Sequence, residues 1–345
     1  MNILQKIAAR AARQPAHIVL CEGEDARVLH AVTQAVHDGI ARITLVGNGP
    51  RIKACAAQEG VSLDALDIID PATSPLTSTL SDALKQVRPR AHLSDARARD
   101  DALDPLNFAN LLVRTGHAQG SVAGAVYTSP AVIRSANRII GRAADQPLLS
   151  SIFLMQFDRP HHPVHGGMIF ADCAVNIEPS AVQLADIAIN AAWNAQFLLE
   201  EAPRIAMLSF STAGSARHAR TEKVIRAARL VREKCPDIII DEEVQLDAAV
   251  VPDVTARKMP GSRVQGRANV LVFPDLDAGN IGYKMAERFD GATAIGPLLQ
   301  GLAKPANDLS RGCSSRDIYY AIAVTSVQSQ AHALSYNGHT NHYKT

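Results

Sequence analysis

Aromatic residues are scarce in this chain of 345 residues: they make up only 4% of it, although 47% of the residues are hydrophobic. A core must therefore be built mostly from Ala, Val, Leu and Ile. That composition suits a sheet layered with helices, where aliphatic side chains fill the space between the layers. The length allows one large domain or two ordinary ones, and two are favoured.

The chain also lacks an excess of charge of either sign and any long apolar run. Its 35 basic residues nearly balance its 34 acidic ones, for a formal net charge of +1. This balance excludes a global field that would attract nucleic acid or an anionic membrane, so a phosphate-bearing partner must meet a local cluster of Arg. No stretch approaches the roughly 20 apolar residues of a membrane span, and residues 1–6 begin an amphipathic helix rather than a signal peptide. We therefore expect a cytoplasmic protein without nucleic-acid or membrane partners.

Paired cysteines and nucleotide-binding motifs are missing as well. The sequence has no GxGxxG fingerprint and no Walker lysine motif, which argues against dinucleotide binding and nucleotide hydrolysis. The cysteines are odd in number and have no close pairs, which argues against a disulfide framework and against a zinc site of the zinc-finger kind. There are five of them: Cys21, Cys55, Cys173, Cys235 and Cys313.

One short segment, 159–165, is rich in histidine. Its spacing, His161-His162-x-x-His165, puts two histidines side by side, and we expect neighbouring side chains to point apart. No cysteine or carboxylate pattern accompanies them, so a solvated loop is predicted rather than a zinc site. Carboxylate clusters at 241–243 and 275–277 are predicted to cap strand ends, and no metal site is predicted.

Apolar strands alternate with helical patterns along the chain, which predicts an α/β fold with mostly parallel sheets flanked by helices. A domain boundary is expected near 141–148, where charged and turn residues cluster. The polar tail, 335–345, has no periodicity and is expected to fray. In the first half, strands are predicted at 17–23, 41–47 and 121–127, and helices at 25–37, 75–88, 94–115 and 130–140.

Residues 307–317, Asn-Asp-Leu-Ser-Arg-Gly-Cys-Ser-Ser-Arg-Asp, bring three chemically distinct side chains to the start of the last long helix. Arg311 offers a planar fork for phosphate oxygens, Ser310 a neutral hydrogen bond and Asp317 a base. Gly312 is expected to allow a bend that other residues resist. Ser314 and Asp317 also fit a capping box. Both interpretations of Asp317 stay open, since a helix N-terminus favours the charged carboxylate.

This segment strongly resembles the C-terminal signature of the phosphate acetyltransferase (phosphotransacetylase) family. Five further blocks carry the same resemblance, in family order, over roughly residues 17–330. They lie at 18–25, 113–118, 170–176, 207–212 and 260–280. Two positions depart from the family pattern: Cys21 stands where the family usually has Pro, and Glu242 where it commonly has Gly. The second departure puts in doubt a turn that needs a positive φ.

The resemblance implies that acetyl-CoA and phosphate interconvert with CoA and acetyl phosphate, without a cofactor, since coenzyme A is a substrate. It also implies a homodimer. The first α/β domain would be discontinuous, formed by 1–147 and 298–334, with 148–297 inserted as a second. The active site would then lie in a cleft between the two domains.

The resemblance assigns roles to the signature residues. Asp317 would take the proton of the CoA thiol, Arg311 would stabilise charge on the carbonyl oxygen and the phosphate, and Ser310 would hydrogen-bond the reacting group. Cys313 invites a covalent mechanism, but the resemblance implies direct acyl transfer to CoA, and a free cysteine is more often a small buried hydrophobic residue.

The phosphate is expected to meet further residues outside the signature. Arg134 follows the predicted strand 121–127 on the next helix, where α/β sheets bind anions. Arg88 also matches the family, although Arg90 competes with it for the alignment. Ser211 and Thr212 open the loop 211–216, whose backbone amides could hold a phosphate; an ordinary turn between strand and helix is the alternative.

Two other classes of protein compete with this interpretation. One is a non-catalytic sensor of acyl-CoA or acetyl phosphate with the same fold, which would be expected to have lost the signature. The other is a metal-dependent decarboxylating dehydrogenase, which would need a carboxylate metal site and nicotinamide contacts that the sequence does not offer. A phosphate acyltransferase that prefers propionyl or butyryl groups is a third, closer alternative.

Overall fold

A computed structural model describes residues 1–87, 93–162 and 164–336, with side chains to 331. The chain divides into two compact units. The discontinuous unit contains Gln5–Gln146 and Leu302–Tyr336, and the middle unit contains Met1–Leu4 and Pro147–Gly301. The domain limits expected from the sequence, and a site between domains, remain predictions.

The elements alternate between strand and helix for most of the chain. The strands are β1 (Ala16–Leu20), β2 (Ala41–Val46), β3 (Asp67–Ile69), β4 (Gly120–Ala123), β5 (Ser150–Phe157), β6 (Gly166–Ala171), β7 (Arg204–Leu208), β8 (Ile239–Val244), β9 (Val270–Val272), β10 (Thr293–Gln300) and β11 (Ala306–Asp308). The helices are α1 (Ile3–Arg13), α2 (Ala26–His37), α3 (Gly49–Glu59), α4 (Thr77–Val87), α5 (Asp95–Leu103), α6 (Pro105–Thr115), α7 (Ser129–Ile139), α8 (Ala181–Leu199), α9 (Ala219–Lys234), α10 (Leu246–Val250), α11 (Pro252–Lys258), α12 (Leu276–Asp290) and α13 (Ser315–Tyr336). None of the helices described here is both long enough and apolar enough to cross a membrane.

The discontinuous unit is built on a five-stranded sheet in the order β11-β4-β1-β2-β3, in which every pair is parallel. Its core is aliphatic, as the composition predicts, with fully buried Ile7, Ile18 and Leu45 among its members. Because parallel strands end at the same edge, the loops after β1, β4 and β11 are neighbours.

The middle unit holds a six-stranded sheet in the order β10-β5-β6-β9-β7-β8. The pairs from β6 to β8 are parallel, whereas β5 pairs antiparallel with both β10 and β6. Several of the few aromatic residues pack here, and Phe153 stacks on Tyr283 with ring centroids 3.9 Å apart. The predicted α/β class with mostly parallel sheets is confirmed.

Three predicted element boundaries are wrong for local reasons. The single helix over 94–115 is two helices, because Pro105 lacks an N–H and Asp104 ends α5 and caps α6 through a 2.9 Å bond from the Asn107 amide. The helix expected from residue 75 begins at Thr77, since the Ser74 hydroxyl caps the preceding turn. The strand expected over 121–127 ends at Ala123.

Candidate active site

Three loops meet at the carboxyl edge of the parallel sheet in the discontinuous unit. They follow β1, β4 and β11, which are adjacent in the sheet. The loop after β11 carries the signature, and the loop after β4 leads into α7, which packs against β11. This edge is where open α/β sheets usually bind ligands.

The signature forms a tight turn between β11 and α13. The Cys313 amide donates to the Ser310 carbonyl at 2.9 Å, and the Gly312 amide donates to the Ser310 hydroxyl at 3.3 Å. The expectation for Gly312 is wrong. Its φ lies outside the left-handed region, and a Cβ built there would meet only the Ser310 Oγ, at 3.8 Å. The turn therefore does not require glycine at this position.

Asp317 and Ser314 cap the start of α13, as the spacing predicts. Asp317 Oδ2 accepts hydrogen bonds from the Ser314 amide and hydroxyl, both at 2.8 Å, and the Asp317 amide donates to Ser314 Oγ at 3.2 Å. Within the described residues, Oδ1 of Asp317 has no hydrogen-bond partner. The cap thus uses one carboxylate oxygen and leaves the other available for a proton. A catalytic role for Asp317 stays a prediction.

The two arginines of this site that the structure describes are both exposed. The Arg311 side chain is in the signature turn, and the Arg134 side chain is on the second turn of α7. Across residues 1–87, 93–162 and 164–336, neither guanidinium makes a hydrogen bond or an ion pair, and no contact joins the two. Such free cationic forks suit an anionic ligand. The predicted Arg88, with its competitor Arg90, lies outside the described residues.

Glu22 holds the loop after β4, a role that the sequence did not indicate. Its buried carboxylate accepts hydrogen bonds from four successive amides, those of Gly124, Ala125, Val126 and Tyr127, at 2.8–3.1 Å. The strand predicted to reach residue 127 ends early because these amides turn to Glu22 rather than to a neighbouring strand. The anion-binding position expected before α7 is therefore occupied by a carboxylate of the chain itself.

Arg27, also missed, connects three loops through one guanidinium. Its Nη1 donates to the carbonyls of Arg311 and Cys313 at 2.8 and 3.0 Å, and its Nη2 donates to the Ala125 carbonyl at 2.8 Å. Its Nε and Nη2 also hold Asp25, and these hydrogen bonds lower the pKa of that carboxyl. The block 18–25 was the only sequence signal near Glu22 and Arg27, and it pointed to the family rather than to contacts.

Asp308 is a second buried carboxyl at this edge. It is fully buried, and neither of its oxygens makes a well-aligned hydrogen bond with any described residue. Burial raises its pKa to about 7, which the nearby Ser129 hydroxyl and Leu309 amide offset only in part. Gly124 permits this close approach: its φ is +118°, and a Cβ there would lie 2.6 Å from the Leu309 nitrogen.

Cys313 is buried within the signature turn. Burial raises the pKa of its thiol to about 11. A thiol that stays protonated at neutral pH is a poor nucleophile. This agrees with the expectation that Cys313 does not form a covalent intermediate.

The loop that contains Ser211 and Thr212 has its amides already paired. The amides of Thr212 and Ala216 donate to the Ser215 and Ser211 hydroxyls, and the Gly214 amide donates to Glu243 Oε2 at 2.8 Å. The side chains of Ser211 and Thr212 are buried. In this geometry the amides cannot also hold a phosphate, so substrate binding by the two residues stays a prediction.

The positive φ that was doubted at Glu242 belongs to the next residue, Glu243, at +51°. Both residues lie within β8, where the register with β7 shifts, and Glu242 pairs with Arg232 at 2.6 Å. The glutamate at position 242 therefore fits without strain and gains an ion pair.

The expectation that His161 and His162 point apart is wrong. Their Nε2 atoms lie 2.8 and 3.1 Å from the two carboxylate oxygens of Asp290 at the end of α12. His162 Nδ1 accepts the Arg159 amide at 3.1 Å, so the neutral ring carries its proton on Nε2. A metal would need that nitrogen without its proton. The two histidines and Asp290 therefore form a hydrogen-bonded cluster that connects the loop 159–162 to the end of α12.

Comparisons with known proteins identify the family of this chain. The family model described as "Phosphate acetyl/butaryl transferase" matches residues 2–326. The chain belongs to this phosphate acetyl/butyryl transferase family. It is 46% identical, over 330 residues, to the phosphate acetyltransferase of Paracoccus denitrificans, covering 96% of this chain and 100% of the relative.

Solved structures place the chain in the same phosphate acetyl/butyryl transferase family. A phosphotransacetylase from Streptococcus pyogenes superposes with a TM-score of 0.88 at 36% identity, covering 95% of this chain and 98% of that one. The EutD phosphotransacetylase from Staphylococcus aureus gives a TM-score of 0.86 at 38% identity, with the same coverage. The chain is thus an enzyme of this acyltransferase family, and the signature 307–317 lies within the matched residues.

Proposed function

We propose that this enzyme is a phosphate acetyltransferase, which converts acetyl-CoA and phosphate to CoA and acetyl phosphate and back. The observation that carries the proposal is the exposed signature turn. It presents the unpaired Arg311 guanidinium beside Ser310, and the free Oδ1 of Asp317 follows at the start of α13. A sensor would not need a guanidinium and a base in one turn, so the intact set favours catalysis.

In the direction that forms acetyl-CoA, Asp317 takes the proton of the CoA thiol. The thiolate sulfur attacks the carbonyl carbon of acetyl phosphate, and the carbon–oxygen bond to phosphate then breaks, with the electron pair leaving on phosphate. Arg311 stabilises the negative charge that develops on the carbonyl oxygen and the phosphate, and Ser310 hydrogen-bonds the reacting group. A thiol with a pKa of roughly 8.5 needs only modest help at neutral pH.

The phosphate group is proposed to bind the exposed Arg134, together with Arg88. The family resemblance also implies substrate binding by Ser211 and Thr212, but their loop is internally hydrogen-bonded, so we assign them no direct contact with phosphate. No cofactor is proposed, because the acyl group passes directly between the two substrates.

Thioester formation tests the proposal. The purified protein should form acetyl-CoA from acetyl phosphate and CoA with nucleotide and transition metal omitted. Acetyl, propionyl and butyryl phosphate should be compared, and we expect acetyl to be preferred because the relative at 46% identity is named for it. Folded protein at micromolar concentration that forms no thioester would favour a sensor, and a preference for butyryl would reassign the substrate.

We propose further that the enzyme is a homodimer, with α12 at the contact. Ile281, Met285 and Phe289 recur every four residues on one face of this helix, with 56%, 54% and 86% of each residue exposed. An apolar stripe of this kind usually marks an interaction surface. Phe289→Glu with Met285→Glu should convert a dimer to a monomer in analytical ultracentrifugation. Leu246→Glu, equally exposed at 54% but off this helix, is the control.

A cytoplasmic location is proposed as well. All five cysteines are free thiols, which suits a reducing compartment. Cell fractionation tests this, and recovery of the native protein from a secreted fraction would contradict it.

A further inference from the structure

The loop after β4 has the geometry of an anion-binding site whose anion is a side chain. Successive backbone amides that point to one place form a concave site for anions. Here the four amides of residues 124–127 converge on Glu22, with Oε1 accepting from Gly124, Val126 and Tyr127 and Oε2 from Gly124 and Ala125. Hydrogen bonds to a charged carboxylate are stronger than neutral ones. Glu22 therefore fixes this loop.

The loop that Glu22 fixes is connected to the signature by one side chain. The Ala125 carbonyl accepts a hydrogen bond from Arg27 Nη2, and Nη1 of the same guanidinium holds the carbonyls of Arg311 and Cys313. The loop also runs directly into α7, which carries Arg134. A displacement of the loop would thus move both the backbone at Arg311 and the start of α7.

The neighbouring carboxyl of Asp308 does not substitute for Glu22 in binding the loop amides. Asp308 lies against Gly124 and has no well-aligned hydrogen bond with any described residue. The Gly124 amide is already bound to Glu22, so Asp308 cannot accept a hydrogen bond from it without competing with Glu22.

We propose that Glu22 is a positioning residue for acyl transfer. Its carboxylate acts as a built-in anion that fixes the conformation of the loop 124–127 and, through Arg27, the position of the signature turn. The proposal rests on the proposed function for its kinetic consequence, but its structural part can be tested without any substrate.

The structural test uses Glu22→Ala, which removes the carboxylate and leaves four amides around an empty, carboxylate-sized space. Formate should enter this space, so we expect formate to raise the Tm of the variant in a saturable way. Chloride at equal ionic strength should not do so, and formate should leave the wild type unchanged. Glu24→Ala is the matched control, because Glu24 lies two residues away but is exposed. A variant whose Tm does not respond to formate would overturn the proposal.

The kinetic test uses the same variant in the thioester assay. Glu22→Ala should lose at least tenfold in kcat/KM, and formate should restore part of it. Glu22→Gln should also lose activity but resist rescue, because its amide fills the space and turns an NH₂ group towards the loop amides. Wild-type kinetics in both variants, or a folded Glu22→Ala whose loss formate does not reverse, would contradict the positioning role.

Two further outcomes keep the inference separate from the proposed function. If the wild type forms no thioester while formate still stabilises Glu22→Ala, the built-in anion is supported and the proposed function fails. If Glu22→Ala does not fold, formate present during refolding should recover soluble protein, and its failure to do so would overturn the proposal.

Discussion

In each unit one loop follows a strand that pairs in parallel with its neighbour, and a carboxylate on or just after that neighbouring strand binds the loop. In the discontinuous unit, Glu22 after β1 binds the amides of 124–127 after β4. In the middle unit, Glu243 at the end of β8 accepts the Gly214 amide after β7. The strands are adjacent in both sheets. The amides of a loop after a parallel strand can therefore be bound by a carboxylate of the adjacent segment of the chain, without a ligand.

The two loops differ in how completely the carboxylate is used. Glu22 uses both oxygens, whereas Oε1 of Glu243 is buried and unpaired within the described residues. Backbone strain is also present here: Ala213 in the second loop and Glu243 in β8 have φ values of +50° and +51°, a conformation that costs L-residues about 1–2 kcal/mol each. Among the predicted site residues that the structure describes, the free guanidinium groups, those of Arg311 and Arg134, lie on the Glu22 side. This difference predicts that the chemistry depends on the first loop.

Among the tests of this contrast between the two loops, the largest expected loss of kcat/KM is at Arg311. Arg311→Lys keeps the positive charge but loses the planar fork that meets two oxygens at once. We expect kcat/KM to fall by two decades or more, about 2.7 kcal/mol of transition-state stabilisation. Steady-state kinetics with acetyl phosphate and CoA measure this. A lysine variant close to wild type would place Arg311 outside the chemistry and remove the contrast between the loops.

A stability measurement sharpens the comparison at Asp308, the unpaired carboxyl on the Glu22 side. Its pKa of about 7 in the folded protein lies above its ordinary value of 3.8. The folded state thus loses stability as pH rises from about 4 to about 7, and the loss is complete above the folded pKa. Asp308→Asn should be neutral near pH 4 and stabilising at pH 8, on the order of 4 kcal/mol.

Denaturant unfolding of both proteins across this pH range measures the difference. Asp64→Asn is the control, because Asp64 is exposed. If the difference in the free energy of unfolding between the two proteins does not change with pH, the pKa of Asp308 is not raised in the folded state.

The smallest expected effect concerns Ser211, in the loop beside Glu243. Its buried hydroxyl accepts the Ala216 amide and bonds the Ser215 hydroxyl, both at 2.9 Å. Ser211→Ala should lose about 1–2 kcal/mol of stability, while the KM for phosphate changes less than twofold. A tenfold rise in KM without loss of stability would instead show that the second loop binds substrate.

The sequence predicted the α/β class and most long elements because their periodicity is local. At the start of α8, for example, Ser180 and Gln183 form a capping box, a pattern that their spacing of three residues indicates. Among the elements that were not predicted, β3 and β11 have only three residues each. Three residues do not show a period, and their strand character comes from pairing with β2 and β4.

In the candidate site, too, residues close together in the sequence were predicted and long-range contacts were missed. Ser310, Arg311 and Asp317 lie within one segment, so they could be predicted from their spacing in the sequence. Glu22 and Arg27 act on backbone groups roughly 100 to 290 positions away, and nothing in their own surroundings indicates those partners. What the sequence missed is the set of long-range contacts that holds the signature in place.

The pH dependence of Asp317→Asn tests the central claim most directly, namely that the signature turn performs acyl transfer with Asp317 as base. Asparagine can still accept the hydrogen bonds of Ser314, and Ser314→Ala serves as the matched control for loss of the cap. The account predicts that kcat of Asp317→Asn falls by about 10²–10⁴-fold at neutral pH and that the loss shrinks towards the thiol pKa, where solvent supplies the thiolate. An unchanged kcat, or a loss that does not vary with pH, would contradict it.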